Sequence, residues 1–313
     1  MTRKRIAIFL LAGLCLSACG TGRSQAEPET IREMSRETGA ETGAEIPTQE
    51  AVAAASDEPV VDPLVISTGE TLAERIRTPE GYERIPAESG SLTDFLRNYP
   101  MKEDGSPVCY YDGRQKTASA QVAVFDMYLG ERDLQQCADS VMRVYAEYLR
   151  AGGRQDEIAF HFVSGFLCDY RTYLAGGRVK VNGNQVSWVS GTVREDTDET
   201  FEAYLNTVFN YASTISLAAE SEPVALAEVQ PGDIFIKAGS PGHVVMVADV
   251  CEKDGKKAML LAQGYMPAQD FHVLKNNLHE EDPWYYEDEI SYSFSTPEYV
   301  FSEECLKRPG YLR

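Results

Sequence analysis

A chain of 313 residues with 49 acidic against 29 basic side chains carries a formal net charge of −20, which argues against nucleic acid and anionic lipid head groups as partners because like charges repel. Its 43% apolar and 10% aromatic content is ample for one packed core and excludes a chain unstructured throughout. The histidines and cysteines show no H-E-x-x-H or C-x-x-C spacing and there is no glycine-rich phosphate loop, so neither a metal nor an organic cofactor is expected.

At the N-terminus Arg3-Lys4-Arg5 precedes an apolar run from Ile6 to Leu16, too short to span a membrane as a mature helix and built as a signal peptide. Its ending, Leu16-Ser17-Ala18-Cys19, resembles a bacterial lipobox. That resemblance implies removal of residues 1–18, acylation of Cys19, and an extracytoplasmic protein lipid-anchored to a cell membrane or outer membrane. Residues 19–70 are rich in Glu, Thr, Ala, Ser and Pro, with the small repeat Glu37-Thr38-Gly39-Ala40-Glu41-Thr42-Gly43-Ala44-Glu45. Too few large apolar residues stand there to offset the entropy of ordering, so a flexible acidic tether is expected, with a reach of about 40 Å.

Residues 71–313 read as a single α+β domain. Val108 to Tyr111, the turn Asp112-Gly113, and a run from Ala118 to Leu129 predict two strands. A helix follows from about Leu134 to Arg150, with Asp133 as N-cap, Gln136 completing a capping box, and Gly152-Gly153 as its end. Ile158, Phe160 and Phe162 alternate as a strand, Asp169 to Leu174 predicts a short helix, and Val179 to Val189 forms a hairpin around Asn182-Gly183-Asn184. A second long helix is expected from about Glu199 to Ala219. The chain then turns to strands at Asp233–Lys237, Val244–Cys251 and Ala258–Gln263, the last two joined through Asp254-Gly255. Phe271 to Leu274 adds a further strand before an aromatic, acidic tail from Pro283.

The chemistry centres on three residues. Pro231-Gly232-Asp233 opens an apolar strand, and Pro241-Gly242 delivers His243 to the start of the next, where an imidazole can face a cleft and titrate near neutrality. Cys137 falls in the first turn of a helix, where unpaired N–H groups and the dipole favour thiolate over thiol. Gln263 ends the strand paired with that of His243 and can hold the far imidazole nitrogen, leaving the near one to take the thiol proton. Backbone N–H groups at the helix start would serve as an oxyanion hole, with Gln135 or Gln136 as a second donor. Each residue also has a bland reading: Cys137 as a small core residue, His243 bonded to a carbonyl, Gln263 as a strand amide. His272 competes with Gln263 as the third member, whereas His161 reads as structural and His279 as solvated. Trp284-Tyr285-Tyr286 with Tyr265 suits either a stacking wall for sugar or peptide, or core.

Pro231-Gly232-Asp233-Ile234-Phe235-Ile236 with Gly242-His243-Val244-Val245 resembles the NlpC-type and CHAP-type cell-wall cysteine peptidases and amidases. The resemblance implies a papain-like α+β fold, with a helix carrying the cysteine and a C-terminal antiparallel sheet carrying the histidine. It implies Cys137 as nucleophile, His243 as base and Gln263 as orienter, acting on an amide of the cell envelope, with a peptidoglycan peptide as leading substrate. A non-catalytic envelope lipoprotein binding peptide or glycan is the alternative. The sequence departs from those families in lacking a tight Asp-Cys-Ser motif and in the long insertion between Cys137 and His243. Over almost all of residues 75–313 the chain is also similar to a bacterial lipoprotein family catalogued as a domain of unknown function. Arg132 to Asp139, Gly239 to Val245 and Leu261 to Gln269 carry that similarity. The odd count of Cys109, Cys137, Cys168, Cys251 and Cys305 leaves at least one thiol unpaired, with the pairing of the rest open.

Overall fold

A computed structural model describes residues 63–118 and 120–312; the expected signal peptide, Cys19 and most of the expected tether lie outside the described residues. The described residues begin at Pro63, within the stretch that composition assigns to the tether. Ile66 N–H donates to Arg75 O, and the Arg75 guanidinium donates to Gly69 O at 2.6 Å. These bonds satisfy backbone groups that a free tether would leave to water.

One antiparallel sheet organises the fold. Its strands run, side by side, Gln121–Val124, His272–Leu274, Lys256–Gln263, His243–Lys253, Ile234–Lys237, Leu306–Pro309 and Ser221–Pro223. Glu83–Arg84 pairs with the long His243 strand, and Tyr285–Tyr286 with the Gln263 strand. Asp254 and Gly255 both take positive φ, 51° and 75°, and Lys253 pairs with Lys256 across them, the two-residue turn whose twist suits a hairpin.

The run from Val244 to Val250 is apolar but for Asp249, because the sheet is covered on both faces. Ile234, Ile236, Val244, Met246 and Ala262 join the cluster that includes the Cys137–Ala151 helix. Phe235, Val245, Val247 and Leu261 alternate with them and join Phe294, Phe301 and Tyr285 instead. The helix is moored from its middle by Tyr145, whose hydroxyl donates to Gly232 O at 2.7 Å.

Several elements are shorter than their sequence patterns predict. The helix begins at Cys137, with Gln136 as N-cap and the Gln136 N–H donating to Asp139 Oδ2 at 3.1 Å. Asp133 is not its cap. That carboxylate accepts from Gln136 Nε2 and from the Ala268 N–H, tying the approach to the helix to the loop after Gln263. The expected helix over 199–219 is two, Asp198–Phe209 and Thr214–Ala219, because Ser213 caps a new start by accepting from Ile215 N–H. The run from Ala118 to Leu129 contributes only Gln121–Val124 to the sheet, and Val108–Tyr111 only isolated bridges from Cys109 and Tyr110.

Candidate functional site

His243 begins its strand and is 2% exposed. Its Nε2 lies 2.7 Å from Gln263 Oε1, and Gln263, fully buried, ends the neighbouring strand. The Gln263 amide donates in turn from Nε2 to Glu298 Oε2 at 2.6 Å. Since only the NH2 of that amide can face the carboxylate, its carbonyl oxygen faces the imidazole. His243 therefore donates from Nε2 and keeps Nδ1 bare. Tyr265 and Tyr299 flank the ring at centroid separations of 4.7 and 4.9 Å, and Phe301 lies at 6.1 Å. Burial, opposed by the Gln263 bond, lowers the imidazole pKa from 6.5 to about 4.

Cys137 is the first residue of its helix and is 7% exposed. The Ala138 and Val244 N–H groups act on its sulfur and favour thiolate, but burial outweighs them and the Asp139 carboxyl adds to it, raising the thiol to about 11. Here the expected stabilisation of thiolate by the helix start is overturned: desolvation of a buried sulfur exceeds what a few N–H dipoles return. The expectation that His243 titrates near neutrality fails for the same reason. Both groups are neutral at pH 7 in this state.

The structure brings the three residues to one end of the sheet without joining sulfur to imidazole. Val244, whose N–H acts on the sulfur, directly follows His243, and Tyr265 and Tyr299 contact the His243 ring. The described contacts include no hydrogen bond between Cys137 and His243. Val244 packs with the helix cluster, whereas the His243 ring contacts Tyr265, Tyr299 and Phe301. Close packing holds the helix start against the Gln263 strand: a Cβ on Gly264 would stand 2.3 Å from Ser140 Oγ.

Beside Cys137, Asp139 is 7% exposed, its Oδ1 has no partner, and burial raises its pKa to about 8. Gln135 and Gln136 are occupied at the helix start, the former accepting from the buried Arg143 guanidinium and the latter donating to Asp133. His272 stands across from Gln263 in the strand register, donates from Nδ1 to Asp270 O at 2.8 Å, and has an unpartnered Nε2 4.0 Å from Glu298 Oε2. Gln263, rather than His272, thus contacts His243. His161 pairs with Glu220, and His279 with Glu289. Trp284 is fully buried and donates to Arg77 O, which makes it core and not a stacking wall.

Glu298, Tyr299 and Lys116, whose Nζ bonds Glu298 Oε1, escape sequence reasoning. They lie in loops far from the motif, and no spacing marks them.

Asp233 proves structural. Fully buried, it accepts two bonds from Arg308, at 2.7 and 2.8 Å, and one from Gln230 N–H, which clamps the last strand to the sheet. All five cysteines among the described residues are free thiols. Also among the described residues, no three or more His, Cys, Asp or Glu side chains are grouped so as to hold a metal ion, and no helix is long and apolar enough to cross a membrane.

A mixed α and β fold built on one antiparallel sheet, with a buried Cys, His and Gln at one end of it, defines the class to which the chain can be assigned. Residues 72–308 match the family described as domain of unknown function (4846), and the chain belongs to that family. No curated protein and no solved structure matches it.

Proposed function

We propose that this protein is a cysteine-dependent hydrolase of papain-like design, acting on an amide of the cell envelope, with a peptidoglycan peptide as the first substrate to test. The observation that carries the reading is the bond of His243 Nε2 to Gln263 Oε1, which leaves Nδ1 as the only basic atom of the ring. Displacing the Tyr265 and Tyr299 rings would admit water and substrate. The desolvation that keeps the pair neutral would then fall, and Cys137 could pass its proton to Nδ1. The thiolate attacks the acyl carbon, the imidazolium returns the proton to the leaving amine, and water drawn in by the same imidazole releases the acyl group. Backbone N–H groups at the helix start would hold the oxyanion. NlpC-type and CHAP-type relationship, lipid anchoring at Cys19 and an extracytoplasmic location are parts of this same proposal.

Isolated cell wall incubated with the domain should release peptide fragments, and Cys137→Ala or His243→Ala should abolish the release. Equal release by all three proteins would refute the proposal. A second reading draws on the burial of both groups, Cys137 at 7% and His243 at 2% exposure. It takes the protein as a non-catalytic peptide or glycan binder. Retained wall binding by Cys137→Ala, with no fragments from either protein, supports that alternative.

A further inference from the structure

Glu298 lies on the turn between the short strands Phe294–Ser295 and Val300–Phe301, which pair with each other and not with the main sheet. This hairpin sends three consecutive or near-consecutive side chains to the histidine: Glu298 to its amide partner, and Tyr299 and Phe301 to its ring. The carboxylate is itself held. Lys116 Nζ bonds Glu298 Oε1 and lies 5.5 Å from the centre of the Tyr265 ring, so one ammonium braces both the carboxylate and a ring covering His243. The Lys116 side chain is only 9% exposed and that of Glu298 21%, a setting in which a charged hydrogen bond is stronger than on open surface.

The consequence concerns the Gln263 amide. Left to itself, a primary amide beside a neutral imidazole can present either end: its oxygen to an Nε2–H, or its NH2 to a bare Nε2. The two arrangements give opposite tautomers, and only the first leaves Nδ1 able to accept a proton. Glu298 breaks the symmetry because an ionised carboxylate accepts and never donates, so the NH2 must turn toward it. We infer that Glu298, braced by Lys116, is a positioning residue that fixes the orientation of the Gln263 amide and thereby selects the His243 tautomer with a bare Nδ1. The inference rests on the proposed role of His243 as base, but the tautomer itself is a property of the folded protein that can be read without any substrate.

The test is long-range proton–nitrogen correlation NMR of ring-labelled full-length protein at pH 7, with His243 assigned by loss of its signals in His243→Ala. Wild type should show a protonated Nε2 and an unprotonated Nδ1. In Glu298→Gln a side chain of the same shape can donate as well as accept, and the single-tautomer signature should be lost, with the Nδ1–H form appearing. Glu298→Ala, which removes the acceptor and leaves Gln263 in place, carries the same expectation and serves if Glu298→Gln fails to fold by circular dichroism. An unchanged tautomer in the folded variant, or an Nδ1–H tautomer in wild type, overturns the inference. Cell-wall digestion by the same proteins separates the two ideas. An altered tautomer with no Cys137-dependent digestion retains the positioning role and sinks the enzyme, whereas Cys137-dependent digestion with an unaltered tautomer does the reverse.

Discussion

At the scale of single residues, burial sets the chemistry more strongly than local dipoles. Cys137 has the N–H groups of a helix start, yet its thiol is raised to about 11. Iodoacetamide should therefore modify it more slowly than the half-buried Cys109 at pH 7, gaining speed toward pH 11, as mass spectrometry of each peptide would show. Rapid labelling at pH 6 would instead mean that a thiolate–imidazolium pair already exists. Asp139 makes a second prediction. Its carboxyl is raised from 3.8 to about 8, so between those values the folded state holds a proton that the unfolded state has lost. Stability falls as pH rises through that window. Asp139→Asn should remove this dependence, raising Tm relative to wild type more at pH 8 than at pH 5; an equal change at both would show that this carboxyl does not titrate as described. His243 and His272 act in the opposite sense, each lowered from 6.5 to about 4 by burial, so their contribution is present above 6.5 and is lost as pH falls toward 4.

At the scale of elements, the meeting of the Cys137 helix and the Gln263 strand depends on a missing side chain. Gly264 has no φ that demands glycine, but its would-be Cβ collides with Ser140 Oγ and lies 3.2 Å from Gln136 O. Gly264→Ala should destabilise by about 1–3 kcal/mol in urea unfolding, the usual range for overpacking. Ser140→Gly in the same chain should recover part of the loss, because it removes the nearest atoms. A full effect with no recovery would place the strain in the backbone. The sequence pattern announced both elements, since apolar spacing marks the helix and an unbroken apolar run, Ala258 to Ala262, marks the strand. It could not show their close approach, because a glycine just after a strand reads the same whether it faces solvent or a helix. The broken helix after Phe209 went unread for a similar reason: Ser213 becomes a cap only once the chain turns there.

At the scale of the whole molecule, the C-terminus completes what the middle begins. Leu306–Pro309 lies between Ile234–Lys237 and Ser221–Pro223, and Arg308 neutralises the buried Asp233. Arg308→Ala leaves that carboxylate unpaired, and a loss on the order of 3 kcal/mol is expected, the cost of an uncompensated buried charge. A change within the error of chemical denaturation would show that water replaces the arginine. Asp249 performs the same service toward the other end of the fold, where Arg84 and Arg97 bring the Glu83–Arg84 strand and the Leu92–Arg97 helix onto the sheet. Ending the chain at Glu303 would strip the sheet of the strand that joins Ser221–Pro223 to it, so the truncated protein should fail to give a cooperative thermal transition.

The sequence by itself determined the mixed helix and antiparallel-sheet character, the Asp254-Gly255 turn, the helix-start position of Cys137 and the pairing of His243 with Gln263, because periodicity, turn chemistry and hairpin register are local properties of the chain. Tertiary structure alone decided the rest. It buried the thiol and imidazole until both became neutral, and it brought Lys116 and Glu298 from distant loops to hold the amide. Those outcomes depend on solvent exclusion and on contacts between remote segments, which no short stretch of residues encodes.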